Sequence, residues 1–266
     1  MDDVVLCEVG DDGVALLTLN RPDRLNAWTY AMQVALFDLL ERCDADERVR
    51  VIVITGAGRG FCPGADMNDL SALAAGDGAG TVRDRRDQRP ITFAMSIPKP
   101  VIAAINGACA GLGLAFALTC DVRFCAESAK LTTAFSRRGL IAEHGTSWIL
   151  PRLLGPARAL DLLLSARVIR GAEAAELGLV NRAVEDQRVL AVALEYARDL
   201  AANVSPASMA TIKRQVYAAL ERPLGEALQE ANGLMLESFS RPDFEEGVQS
   251  FVERRAPHFP PLAPAR

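Results

Sequence analysis

A chain of 266 residues, half of them hydrophobic and 24% charged, is long enough to bury a sizeable core as one large domain or two. The net charge of −5 and the lack of any apolar run that could span a bilayer argue against a general nucleic-acid binder, an anionic-membrane binder or a transmembrane protein. Six cysteines without CxxC spacing and only two histidines assemble no metal cluster, so no metal is expected. The opening MDDVVLCEV is acidic rather than basic and then apolar, which makes the cytoplasm the expected compartment.

In chain order, residues 4–9 and 14–19 read as two strands around Asp11-Asp12-Gly13, a hairpin signal. Residues 20–27, NRPDRLNA, form a loop before a helix over 29–44, where Met32, Leu36, Leu39 and Leu40 share one stripe. A buried strand at 51–54 then runs through a glycine-rich loop into a short helix at 66–74. Residues 74–88, AAGDGAGTVRDRRDQ, hold too little apolar surface to order firmly, and a mobile loop is expected there. A helix near 90–96 leads to a second buried strand at 101–105, a turn at Asn106-Gly107, and a buried helix over 112–119 opened by Gly111-Leu112-Gly113. Short strands at 122–126 and 130–133, helices at 146–154 and 156–165, a short helix at 170–177 and a strand at 179–184 follow. From residue 186 the chain reads as helix, punctuated at Pro206, Pro223 and Pro242. This pattern divides into a core over residues 1–200 and a helical region over 201–266.

A strand that ends in a glycine turn at a helix start presents bare N–H groups together with the positive end of the helix dipole. Such a corner suits a phosphate or a developing oxyanion. For residues 100–122 alone, close packing between elements explains the glycines equally well. The stretch 51–67 repeats the same design, however, and two copies suggest two sets of donors facing one cavity. Acyl transfer and enolate chemistry require two such donors on one thioester oxygen.

GRGFCPGADM, VIAAINGACAGLGLAFALTCDVRF, LGLVNRAV and EGVQSFVERRAPHF, in that order and spacing, resemble the crotonase superfamily, the enoyl-CoA hydratase/isomerase group, over nearly the whole chain. The resemblance implies an α/β fold, a ClpP/crotonase-like spiral of repeated β-β-α turns with a C-terminal helical trimerisation region, assembled as a homotrimer or a dimer of trimers. It implies an acyl-CoA thioester substrate, no cofactor beyond the coenzyme A of that substrate, and no nucleic-acid or membrane partner. It maps the two oxyanion N–H groups onto Ala65 and Leu112. Coenzyme A contacts fall on Arg24, Asn26 and Ala27 in the first loop, on Gly64, Asp66 and Met67 at the first glycine turn, and on Lys213 in the tail. Two of these have structural alternatives, with Asn26 bonding turn backbone and Asp66 capping a helix.

The two glutamates with which hydratases of this family hold a water fall at Ala115 and Phe135, so that pair is missing. A different carboxylate, Glu143 in GLIAEHGT, matches the position where peroxisomal 3-enoyl-CoA to 2-enoyl-CoA isomerases carry their glutamate. Ring isomerases of phenylacetate breakdown carry an aspartate there. Apolar surroundings would raise its pKa toward working pH, and one such group suffices to take a proton from C2 and return it at C4. The local alternative is a first-turn acid on the dipole of helix 146–154. His144 reads as a surface or packing residue, Arg137-Arg138 as subunit salt bridges, and Cys62 as filler with no histidine near it in sequence. The expected activity is therefore isomerase-type, with a hydratase or a non-catalytic acyl-CoA binder as alternatives.

Overall fold

The computed structural model describes residues 3–75 and 88–262. Two strands, β3 (Val51–Gly56) and β5 (Val101–Ile105), are buried at every residue. Only a strand covered on both faces reads as an unbroken apolar run, and these two pair in parallel at the centre of a six-stranded sheet. Burying one Val or Ile side chain contributes about 1.5–3 kcal/mol, so Val51 to Ile54 anchor firmly the turn that follows them.

The hairpin of β1 (Val5–Val9) and β2 (Val14–Leu19) is antiparallel and closes one edge of this sheet. With β7 (Val122–Ala126) and β10 (Arg182–Val184) the order is β1-β2-β3-β5-β7-β10. A second sheet of β4 (Gly60–Cys62), β6 (Ala108–Ala110), β8 (Lys130–Thr132) and β9 (Ile169–Arg170) has the order β4-β6-β8-β9. The pairs β3–β4, β5–β6 and β7–β8 each send one strand to each sheet, and successive pairs lie side by side. The chain thus climbs as a spiral, with α1 (Tyr30–Ala45) before the first pair, and α2 (Met67–Ala74) and α3 (Leu112–Ala117) following the first two. Thr29 starts α1 by accepting from the Met32 N–H at 3.2 Å.

Next come α4 (Thr146–Leu154), α5 (Pro156–Ser165) and α6 (Gly171–Leu177). The long helix α7 (Val189–Asn203) buries Val189, Val192, Ala193, Ala197 and Ala201 against β2, β3, β5 and β7. Helices α8 (Pro206–Ala219), α9 (Leu224–Ser238) and α10 (Pro242–Glu253) complete the described chain. No helix among the described residues is long and apolar enough to cross a membrane.

Two local expectations change. The helix expected at 90–96 is a 3-10 turn, Ile91–Ser96. The strand expected at 179–184 is confined to Arg182–Val184, because Leu179 and Val180 donate back to Ala174 O and finish α6 over Gly178, which sits at φ 87°. The loop expected over 74–88 lies, apart from its ends, outside the described residues.

Candidate active site

Two glycine turns meet at the centre of the spiral. Gly64, after β4, has φ 108°, and Gly111, after β6, has φ 49°. A Cβ on Gly64 would stand 3.1 Å from Ala110 O and 3.8 Å from Gly111 Cα, so only glycine allows the turns to approach this closely. Close packing accounts for glycine at more than one of these positions. Gly113 is the packing residue, since a Cβ there would lie 2.3 Å from Cys62 O.

The next residue after each positive-φ glycine carries a bare amide. A parallel bridge pairs Trp28 with Ala65: the Trp28 N–H donates to Gly64 O at 2.8 Å and the Asp66 N–H to Trp28 O at 2.9 Å. The residue between those two bonds turns its own N–H away from the bridge. Ala65 is that residue, and its N–H has no acceptor among the described residues. Leu112 is the first residue of α3, where no intrahelical acceptor exists; the first bond to close is from Ala115 N–H to Gly111 O at 2.9 Å. Ala65 and Leu112 line one cavity of about 250 Å³.

Glu143 lines the same cavity. Its backbone carbonyl accepts from the Thr146 N–H at 3.0 Å and the Thr146 hydroxyl at 2.7 Å, which fixes the turn entering α4. The N-cap of α4 is Gly145, which has no side chain to cap with, and the Glu143 carboxylate makes no hydrogen bond to the α4 amides among the described residues. His144, held at φ 55°, brings Nε2 to 3.7 Å from Glu143 Oε2. The Glu143 side chain is 33% exposed, so the apolar envelope expected around it is only partial. Ala115 and Phe135 are buried, and the Phe135 ring lies 6.4 Å from that of His144. Apolar groups thus occupy both places onto which the resemblance maps the carboxylates of a hydratase.

The structure separates the other expected contacts. Asn26 is fully buried, donating to Ala57 O at 2.9 Å and Gly60 O at 2.8 Å while accepting from the Arg21 N–H at 2.8 Å. Its side chain clamps the β3–β4 turn and is not available to a ligand. Lys213 is also placed elsewhere: its ammonium pairs with Asp121 at 2.7 Å and donates to Ala94 O and Lys99 O, with 7% of the side chain exposed. A cation so fully bonded and buried cannot reach a phosphate. Asp66 accepts from the Asn68 N–H at 3.1 Å and from Arg21 at 3.0 Å, and those donors hold its carboxyl below the usual range. It is the cap of α2. Arg24 is exposed in the 3-10 turn Pro22–Arg24, Met67 is exposed at the start of α2, and the Ala27 carbonyl accepts from Arg21.

Arg138 lines the cavity, where a subunit salt bridge was expected, whereas Arg137 is tied to Ser165 O at 3.0 Å. Tyr30 and Asp69 line it as well. Nothing in the local sequence singles out Asp69, which reads as one more acid in the first turn of α2. Cys62 is buried, and desolvation pushes its thiol up to about 12, which excludes it as a nucleophile. Of the six cysteines only Cys7 is exposed. Alkylation of the native protein at mildly alkaline pH is therefore expected to add one label, at Cys7, by mass spectrometry; labelling of Cys62 at a similar rate would contradict this.

The family model for enoyl-CoA hydratase/isomerase matches residues 10–261. The 1,2-epoxyphenylacetyl-CoA isomerase of Escherichia coli (strain K12) is 36% identical over 255 residues, covering 94% of this chain and 95% of that protein. Among solved structures, an enoyl-CoA hydratase EchA12_1 from Mycobacterium marinum is 50% identical with a TM-score of 0.71, over 83% of this chain and 100% of that one. An enoyl-CoA hydratase from Polaromonas sp. JS666 is 29% identical with a TM-score of 0.89, over 96% of this chain and 99% of that one. The match spans both glycine turns and Glu143, and the chain belongs to the enoyl-CoA hydratase/isomerase family, with the crotonase fold.

Proposed function

We propose that the protein is an acyl-CoA isomerase that moves a double bond from the 3-enoyl to the 2-enoyl position, with Glu143 as its proton carrier. One observation carries this reading: Ala65 and Leu112, whose amides have no acceptor among the described residues, line one cavity with Glu143, while Ala115 and Phe135 stand where the resemblance puts the water-holding pair. The thioester oxygen accepts from both amides, which makes the C2 proton acidic. Glu143 removes that proton, and the negative charge moves to the oxygen between the two donors. The double bond shifts from C3–C4 to C2–C3 as the same carboxyl returns the proton at C4. No water enters and no cofactor beyond the coenzyme A of the substrate is needed. Losing one such donor typically costs about 2.7–4 kcal/mol of transition-state stabilisation, so the pair is the larger part of the device.

Exposed Arg24 is the proposed partner of the coenzyme A phosphates, with exposed Met67 and half-buried Ala27 beside it and buried Gly64 and Asp66 contributing backbone alone. Assembly is proposed as a homotrimer or a dimer of trimers. Helix α9 buries no residue and exposes Leu224, Leu228 and Leu236; α8 exposes Ile212 and Val216, and Leu220 follows it exposed at its C-cap. Sedimentation equilibrium should give three or six chains, and a stable monomer would contradict it.

The reaction is tested by supplying a 3-enoyl-CoA in deuterated buffer. The expected product is the 2-enoyl-CoA, with deuterium entering at the exchanged position. Neither conversion nor exchange would overturn the proposal.

A further inference from the structure

We propose that Cys7 and Cys43 form a reversible modification site, a thiol pair that a peroxide converts into an intramolecular disulfide joining the sheet edge to α1. Their sulfurs lie 3.9 Å apart, although the two residues are 36 positions apart in the chain. The pair plays no part in the acyl-CoA chemistry, so it stands whether or not that chemistry does.

Two periodicities bring the sulfurs together. Strand alternation puts Val5, Cys7 and Val9 on one face of β1, where Val5 is buried and Val9 packs against the core. On α1, Leu36, Leu40 and Cys43 follow at helical spacing and all three are buried. Helix and strand pack against each other, and Cys7 meets Cys43 at that contact. The helix end is held from another side: the Lys99 ammonium donates to Cys43 O and to Asp46 O, both at 2.8 Å. Cys7 is exposed on the edge strand, which pairs with β2 alone. A disulfide needs about 2.05 Å between sulfurs, so each has roughly one ångström to travel. The edge strand is the partner with room to yield.

Burial divides the roles. Desolvation first, and then the neighbouring Cys7 sulfur, pushes the Cys43 thiol up to about 12. Cys43 therefore stays protonated and shielded, and the exposed Cys7 meets the oxidant. The Cys7 sulfur attacks the peroxide; an S–O bond forms, the O–O bond breaks, and the thiol proton leaves with the released oxygen as water. The Cys43 sulfur then attacks the Cys7 sulfenic acid. An S–S bond forms, the S–O bond breaks, and the departing hydroxide takes the Cys43 proton as a second water. Two thiols are oxidised and one hydrogen peroxide is reduced to two waters. Contact between the sulfurs compensates for the scarcity of Cys43 thiolate, because the second step is intramolecular. A dithiol reductant reverses the bridge by exchange.

The consequence is for stability rather than turnover. Cys43 lies about 20 Å along α1 from Tyr30, the end of the helix that lines the cavity. Closing the bridge restricts the unfolded chain and ties the edge hairpin to the helix.

The test treats the reduced full-length protein with hydrogen peroxide, blocks remaining thiols, and analyses peptides without reduction. Wild type is expected to give one linked Cys7–Cys43 peptide pair, lighter by two hydrogens, and to lose its Cys7 alkylation site until dithiothreitol restores it. The oxidised form should melt about 4–16 °C above the reduced one. In Cys43→Ala, Cys7 should stop at the sulfenic acid and be trapped by dimedone. In Cys7→Ser, an exposed and mild change, Cys43 should stay reduced and the melting temperature should ignore peroxide. Wild-type Cys7 oxidised to sulfenic or sulfinic acid beside an intact Cys43 thiol overturns the proposal. So does a Cys7 bridge between two chains, oxidation of Cys43 in Cys7→Ser, or a linked wild type that melts no higher than the reduced form.

Discussion

Leu112→Pro is expected to slow C2 proton exchange on a bound acyl-CoA about 10²–10³-fold while acyl-CoA affinity falls far less. Proline removes one thing of interest, the backbone N–H. At the first position of a helix it is otherwise well tolerated, because that N–H has no intrahelical partner. The Leu112 amide makes no bond to any described residue, so the described fold loses nothing with it. Gly111 has φ 49° and ψ −121°, the mirror image of the extended conformation that a residue before proline prefers, and glycine adopts either hand. Leu112→Ala serves as the control, since it trims the side chain and keeps the amide. Exchange should remain near wild type in the alanine variant and collapse in the proline variant, with similar melting temperatures. Equal exchange in both would mean that Leu112 gives nothing to the developing charge.

Glu143→Gln is expected to lower exchange and isomerisation about 10²–10⁴-fold. The change keeps the side-chain volume and leaves untouched the carbonyl that Thr146 binds, so the turn into α4 should persist. Acyl-CoA binding should survive, because the amides of Ala65 and Leu112 are intact. A parallel loss of binding and turnover would point to a structural role for Glu143. Undiminished exchange would remove it from the chemistry.

The parts of this site that are legible in the sequence are those with a backbone reason for their identity. Gly64 and Gly111 both hold positive φ, and at Gly64 the Ala110 carbonyl also leaves no room for a side chain. Strands β3 and β5 announce themselves as unbroken apolar runs. By contrast, β4 and β6 have three residues each, too short for any periodicity, and the second sheet they build stays hidden until the turns are stacked. Asn26 leaves ligand contact and turn clamp open on local grounds, and the carbonyls of Ala57 and Gly60 decide for the clamp. Lys213 reads as a free cation because its acceptors Ala94, Lys99 and Asp121 lie about a hundred residues away. Asp69 escapes notice as one more acid at a helix start, where the dipole alone would account for it. Glu143 is nearly as ordinary in its local setting; its assignment came from family resemblance, and the shared cavity gives that assignment geometry.

The central idea, that two main-chain amides polarise one thioester carbonyl, is most directly read by infrared difference spectroscopy of an acyl-CoA with an isotope-labelled carbonyl. The stretch is predicted to move to lower frequency on binding and to return most of the way toward its solution value in Leu112→Pro. A stretch that does not move on binding, or one that moves equally in the proline variant, would contradict the account.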